Sequence, residues 1–227
     1  MSEESPLTTP LTLLNDWAMQ DSFEAFRAQM TRAMLFPKKA DLRKWALLKA
    51  YAQQDGVGLI AEWGVWRGHG VNLFSRVLRG EDVTIWGFDS FEGLEEDWTG
   101  QARGAQKGRY TLDGALPEVR GNVRLVKGWV QDTVPGWLDQ HEDAPILFGH
   151  LDLDTYTPTR FVLEAIRPRL VAGSVLQFDE LYGYPGWREH EYKALQEVLP
   201  EDSYRFIGFS EQAVAIEMTR DPGPLRG

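Results

Sequence analysis

Apolar residues recur at helical spacing through the first quarter of the chain, at Leu11, Leu14, Trp17 and Ala18 and again at Leu42, Trp45, Leu48 and Tyr51. That period lays one stripe along each of two helices. The stretch "FPKKA" separates them. From there the rhythm changes. Short apolar runs, "GLIAEWGV", "VTIWGFDS", "VRLVKGW", "ILFGHLDL" and "SVLQFDE", alternate with amphipathic stretches around "GHGVNLFSRVL", "GWLDQ" and "EHEYKALQEVL". Alternation of this kind predicts βαβ units. The helix after the fourth run is well marked: Thr157 can cap it, Pro158 suits its first turn, and Val162, Leu163, Ile166 and Leu170 form its inner face. Two closing runs, "YRFIGF" and "QAVAIEM", are joined only by Ser210 and Glu211, which predicts a hairpin and an antiparallel last strand.

Five strands alternating with helices, followed by a hairpin, predict a doubly wound α/β sheet that binds its ligand at the carboxyl ends of the strands. Residues 1–56 read as an N-terminal helical extension, 57–219 as the sheet domain and 220–227 as a flexible tail. The polar, glycine-containing stretch from Glu92 to Glu118 is too long for a simple connection. It is expected to be a lid carrying Trp98, Arg103, Lys107 and Arg109, or else a solvated surface loop.

Composition narrows the classes. A chain of 227 residues with 43% hydrophobic and 12% aromatic residues can bury one sizeable core. A formal net charge of -10 at pH 7 argues against a nucleic-acid partner, since such binding rests on clustered Lys and Arg, and leaves small molecules or proteins as the expected partners. With no cysteine, disulfides, thiolate metal sites and a cysteine nucleophile are all excluded. The opening "MSEESPLTTP" has no signal-peptide pattern, and no apolar run approaches the roughly 20 residues that span a bilayer. No membrane association and a cytoplasmic location are expected.

Candidate chemistry begins at "EWGVWRGHG", where the first strand hands over to a helix and Gly64, Gly68 and Gly70 let backbone approach a ligand. Asp89 ends the second strand, 25 residues after Gly64, near where nucleotide-binding sheets place an acid on ribose hydroxyls. The bland alternative is a tight turn with Asp89 as a cap. The spacing is not GxGxxG and no phosphate-loop Lys follows.

Taken in order, "EWGVWRG", "GFDSFEGL", "VKGWVQDT", "HLDLDTYTPT" and "FDE" resemble class I S-adenosylmethionine-dependent methyltransferases, most of all the macrocin O-methyltransferase (TylF-like) family, over roughly residues 58 to 185. The resemblance implies a seven-stranded, mostly parallel sheet with an antiparallel last strand. It implies that Glu62, Gly64 and Gly68 shape the pocket for the amino-acid end of S-adenosylmethionine, that Asp89 holds the ribose with help from Ser90, and that Gly128, Trp129 and Gln131 flank the adenine. Trp129 reads equally well as core.

The fourth and fifth runs end in acids, Asp152 and Asp154, then Asp179 and Glu180. Neighbouring strand ends should bring Asp152, Asp179 and Glu180 together, and two carboxylates about 4 Å apart repel by roughly 4 kcal/mol at an effective dielectric near 20. They need a cation or must protonate. Magnesium, a hard ion that prefers oxygen ligands, is the natural candidate. The resemblance implies that Asp152, Asp179 and Glu180 hold it, with Asp152 also the catalytic base; Glu180 departs from the Asp common in the family. The alternative is that Asp152 and Asp179 order loops while Glu180 faces solvent. Asp154 reads as a loop or capping residue. His150 and His190 are rival bases or packed residues, and Tyr182, Tyr184 and Trp187 are either an aromatic wall for the acceptor or packing.

The expected activity is Mg-assisted methyl transfer to a hydroxyl of a sugar or other natural-product acceptor, in a homodimer joined through the N-terminal helices. A nicotinamide oxidoreductase and a noncatalytic cofactor-binding module stay open as alternatives.

Overall fold

The computed structural model describes residues 9–101 and 105–223. Its elements are α1 (Pro10–Met30), β1 (Met34–Leu35), α2 (Lys39–Gln53), β2 (Leu59–Trp63), α3 (His69–Val77), β3 (Ile85–Asp89), β4 (Val123–Lys127), α4 (Val130–Gln140), β5 (Ile146–Leu151), α5 (Tyr156–Ile166), β6 (Val175–Phe178), α6 (Glu191–Val198), β7 (Tyr204–Ser210) and β8 (Ala213–Met218). The strands form a sheet in the order β1-β7-β8-β6-β5-β2-β3-β4. Strand β8 runs antiparallel to both neighbours, and the remaining pairings are parallel. The seven expected strands are therefore present with an antiparallel last one. The two-residue β1 joins them at the edge, pairing Met34 with Gly208 and Leu35 with Phe209.

Strands β2, β5 and β6 are buried at every position because helices cover both faces of the sheet, as parallel sheets require. On one face Leu42, Ala46 and Leu47 of α2 and Val71 and Phe74 of α3 pack with Ile60, Phe148 and Val175. On the other, Val134 and Trp137 of α4, Val162 and Leu163 of α5 and Leu195 of α6 pack with Trp63, Phe88 and Leu151. Helix α1 joins this second layer through Phe26, whose ring meets Tyr182, Trp187, Tyr192, Phe206 and Phe209 with centroids 5.5–5.9 Å apart. Its outer side leaves Leu13 and Trp17 more than half exposed, at 58% and 56%.

Two local details differ from the sequence pattern. The hairpin turn is Glu211–Gln212, since Ser210 still pairs with Ala213, and Glu211 takes the left-handed φ of 47°. Helix α5 has Thr155 at its N-cap position without a side-chain cap bond. The free donors of its first turn go instead to Glu96, which accepts from the Thr157 amide and hydroxyl, both at 2.9 Å. A carboxylate at a helix N-terminus meets both the unpaired amides and the positive end of the helix dipole.

Candidate active site

The turn after β2 is set by what its glycines allow. Gly64 has φ +91°, and a Cβ there would lie 1.8 Å from the Asp152 carbonyl oxygen. Only glycine lets the ends of β2 and β5 touch this closely, an approach sealed by the Asp152 amide donating to the Trp63 carbonyl at 2.8 Å. A Cβ on Gly70 would fall 1.7 Å from Glu62 Oε1. That space admits the buried Glu62 carboxylate, whose Oε2 accepts from the Val71 amide at 2.7 Å. Gly68, at φ +77°, opens α3. Asp89 orders the turn from the other side: Oδ2 accepts from the amides of Val65 and Trp66 at 2.8 and 2.7 Å, and Oδ1 from Phe91 at 2.6 Å. The capping role is thus real, and Asp89 also lines the cavity described next.

A cavity of about 700 Å³ opens over the carboxyl ends of the strands, a size typical of small-molecule sites. Of the residues expected to hold the cofactor, Glu62, Gly64, Asp89, Ser90, Gly128 and Trp129 line it. Gly68 and Gln131 are not among its described lining residues; Gln131 instead donates to Glu95 Oε2 at 2.7 Å. Trp129 is 37% exposed at the start of α4, so it is not core.

The loop from Glu92 to Glu118 forms one wall, through Leu94, Trp98 and Tyr110. Its described part is pinned at several points, although many of its side chains stay exposed. Leu94 donates to the Arg109 carbonyl at 2.9 Å, Trp98 pairs with Ala105, and Gly186 donates to Gly100 at 3.3 Å. Lys107 and Arg109 are exposed, with Arg109 beside the Tyr110 ring at 5.5 Å; Arg103 lies outside the described residues. The other aromatic expectation resolves as packing, because Tyr182, Tyr184 and Trp187 are 8%, 1% and 1% exposed within the core. The aromatic residues that line the cavity are instead Trp66, Trp98, Tyr110 and Trp129.

The strand-end acids converge, and they meet cations. Asp179 receives Arg43 on Oδ1 at 2.5 Å and Lys39 on Oδ2 at 2.9 Å, and Lys39 also donates to Glu180 Oε1 at 2.6 Å. Asp152 lies 3.6 Å from Arg43. His150, fully buried, donates Nδ1 to Glu62 at 2.8 Å and Nε2 to Asp179 at 3.3 Å. It thereby links the glycine turn to the acid cluster. His190 donates to the Thr99 carbonyl at 2.9 Å and stacks on Tyr184. Neither histidine is among the described residues lining the cavity.

These partners split the acids into two groups. Burial alone would raise Asp179, but Arg43, the His150 hydrogen bond and Lys39 hold it well below the usual carboxylate range. For His150, burial and Arg43 oppose the charge, yet Asp179 and Glu62 raise it to about 8. Across the cluster, ligand atoms of Asp152, Asp154 and Glu180 lie within 4.8 Å of one another. Burial and then the Asp179 charge raise Asp152 to about 7. Burial and then Asp152 hold Asp154 well above its usual value, and burial and then Asp179 do so for Glu180, against the pull of Lys39. Glu180 Oε2 is buried with no hydrogen-bond partner. Clustered hard oxygens, one of them orphaned, fit a divalent cation such as magnesium. Asp154 sits in the loop between β5 and α5, as expected, at φ 63°, and it is buried in this group.

Lys39 and Arg43 escaped the reading of the motifs. A signal existed: the two lie four residues apart, on one face of a helix. Replacing Arg43 with methionine should cost about 2 kcal/mol of stability, less than the roughly 3–5 kcal/mol for stripping a buried ion of its only partner, because Lys39 and His150 still face Asp179. Chemical denaturation would show it as a lower midpoint at unchanged slope.

A parallel sheet with an inserted antiparallel last strand, a glycine turn after its first long strand and an acid after the next defines a class I methyltransferase. Residues 61–181, over half of the chain, match a family model described as a methyltransferase domain; the chain belongs to this family, whose members draw on S-adenosylmethionine. The nicotinamide alternative falls away. Among solved structures, the calicheamicin methyltransferase CalS11 is similar at 24% identity over 93% of this chain and 94% of that one, TM-score 0.65. A second, apo structure of CalS11, a TDP-rhamnose 3'-O-methyltransferase, has 25% identity over 93% of this chain and 96% of that one, TM-score 0.57. The O-methyltransferase NovP has 22% identity over 80% of each chain, TM-score 0.59. No curated protein matches the sequence. Among the described residues no helix is long and apolar enough to cross a membrane.

Proposed function

We propose that the protein transfers a methyl group from S-adenosylmethionine to a hydroxyl of a small-molecule acceptor, a sugar or related natural product, with a magnesium ion at the strand-end acids. The observation that carries this reading is that one cavity is lined both by the donor-side residues Glu62, Gly64 and Asp89 and by the acids Asp152, Asp154 and Glu180. The donor, when bound, supplies an electrophilic methyl on sulfur. Breaking its S–C bond as the O–C bond forms releases S-adenosylhomocysteine, so the chain's task is alignment and removal of one proton.

Glu62 and Gly64 shape the site of the donor's amino-acid end, with Gly68 setting the start of α3 behind them, Asp89 and Ser90 meet the ribose, and Gly128 and Trp129 flank the adenine. Asp89 keeps one lone pair to spare, on Oδ1, beyond its three amide bonds. Trp98 and Tyr110 cover the cavity from the loop side and keep water out. Asp152 takes the acceptor's proton. Asp152 and Glu180, with Asp179 behind them, would hold the magnesium ion, and the chemistry it would supply there is Lewis-acid polarisation of an acceptor hydroxyl. The sugar acceptor is supported by the likeness to CalS11, a TDP-rhamnose 3'-O-methyltransferase, and by the aromatics that line the cavity. The exposed Leu13 and Trp17 of α1 support the homodimer.

Calorimetry separates the classes. S-adenosylmethionine should bind with a dissociation constant in the micromolar range while NAD gives no heat, and methyl transfer to a nucleotide sugar should follow. Binding of NAD, or a cavity that ignores S-adenosylmethionine at millimolar concentration, would overturn the reading.

A further inference from the structure

We infer that Lys39 is a built-in counter-ion that competes with the divalent cation for Glu180 and Asp179, and so sets how tightly that cation binds. The inference rests on the reading that these acids hold a divalent ion.

Three observations carry it. The Lys39 ammonium touches both acids, at 2.6 Å from Glu180 Oε1 and 2.9 Å from Asp179 Oδ2. It therefore already occupies one flank of the carboxylates that an ion would need. Its position is also enforced: Lys39 is the first residue of α2, a helix anchored by the buried Leu42, Ala46 and Leu47. An ammonium tethered this way acts at high effective concentration and does not dilute as a free ion does. Finally, the opposite flank is short of cations. Glu180 Oε2 has no partner, and one carboxylate oxygen from each of Asp152, Asp154 and Glu180 lies within 4.8 Å of the others.

An ion entering on that side meets Glu180 already neutralised from behind, so its attraction is reduced by the ammonium's repulsion and by the share of negative charge that Lys39 takes up. For the ion to draw both oxygens of Glu180, Lys39 must swing away. It has an exit, being 20% exposed along its side chain. Arg43 does not compete in the same way, since its contacts are to Asp179 and, more distantly, Asp152. Lys39 is thus a positioning residue for the carboxylates, with the affinity of the ion as its readout.

The test is a titration of the full chain with Mn2+, following the free ion by electron paramagnetic resonance, for the wild type and for Lys39→Met, Lys39→Gln and Lys39→Arg. The glutamine variant keeps a hydrogen-bond donor in case the methionine variant unfolds. Removing the charge in either variant should tighten Mn2+ binding at least tenfold, and the arginine variant should stay within about threefold of wild type. If the wild type binds the ion and the neutral variants bind it no more tightly, Lys39 is only a structural partner and the inference fails while the metal reading stands. If no variant binds Mn2+ at millimolar concentration, the metal reading fails and takes the inference with it.

Discussion

Asp152→Asn is expected to lower kcat for methyl transfer by about a thousandfold, within the range lost when a positioned general base is removed, while changing the affinity for S-adenosylmethionine by less than threefold. The asymmetry follows from placement. The donor-side anchors Glu62, Gly64 and Asp89 keep their backbone partners without the Asp152 carboxylate, whose nearest cation is Arg43 at 3.6 Å. The protein should still fold, because the substitution removes one negative charge from a cluster in which burial and Asp179 already disfavour it. Single-turnover transfer and calorimetry on the same preparation check both halves. Turnover within tenfold of wild type would remove Asp152 from the roles of base and ligand together.

The second large effect falls on the backbone. Gly64→Ala forces a side chain into a φ of +91° and drives its Cβ to 1.8 Å from a carbonyl oxygen and 2.6 Å from its carbon, both main-chain atoms of Asp152. Left-handed backbone costs roughly 1–2 kcal/mol outside glycine, and overpacking about 1–3 kcal/mol more, so a loss of about 3–4 kcal/mol is expected. For a chain of this size that lowers the melting temperature by about 10 °C. Donor binding should fall with it, since the turn and the Asp152 segment share this contact. The contrast is Gly136→Ala, inside α4 with nothing within 4 Å of an added Cβ, which should stabilise by about 0.5–1 kcal/mol. Scanning calorimetry of the two variants would expose the error if Gly64→Ala melted within a degree or two of wild type.

What could be read from the chain, and what could not, divides by distance along it. The strands β2 to β8 were legible because each is a short apolar run between turn signals, and the hairpin because its two runs nearly abut. Strand β1 was not: two exposed residues carry no periodic signal, and they pair only because the edge of β7 is there to receive them. The helix cap was misread for a similar reason. Thr157 looked sufficient, but the acceptor is Glu96, 61 residues away, brought there by the loop. Tyr182, Tyr184 and Trp187 are as apolar on paper as Trp66 and Tyr110, and only tertiary packing, of Phe26 on Tyr182 and Trp187 and of Trp98 and His190 on Tyr184, separates core from cavity wall. The acid cluster shows the same limit. Its convergence followed from strand order, whereas its neutralisation by Lys39, 140 residues from Asp179, did not.

The sequence by itself determined the class of fold, the turn after β2 and the gathering of acids at the strand ends, because these depend on local periodicity, on glycine conformations and on the fixed order of a doubly wound sheet. Only the tertiary structure decided which charges those acids face, which aromatics reach the cavity and which group caps α5. Each of those outcomes is a contact between distant segments, and its energy exists only once the chain has closed around it.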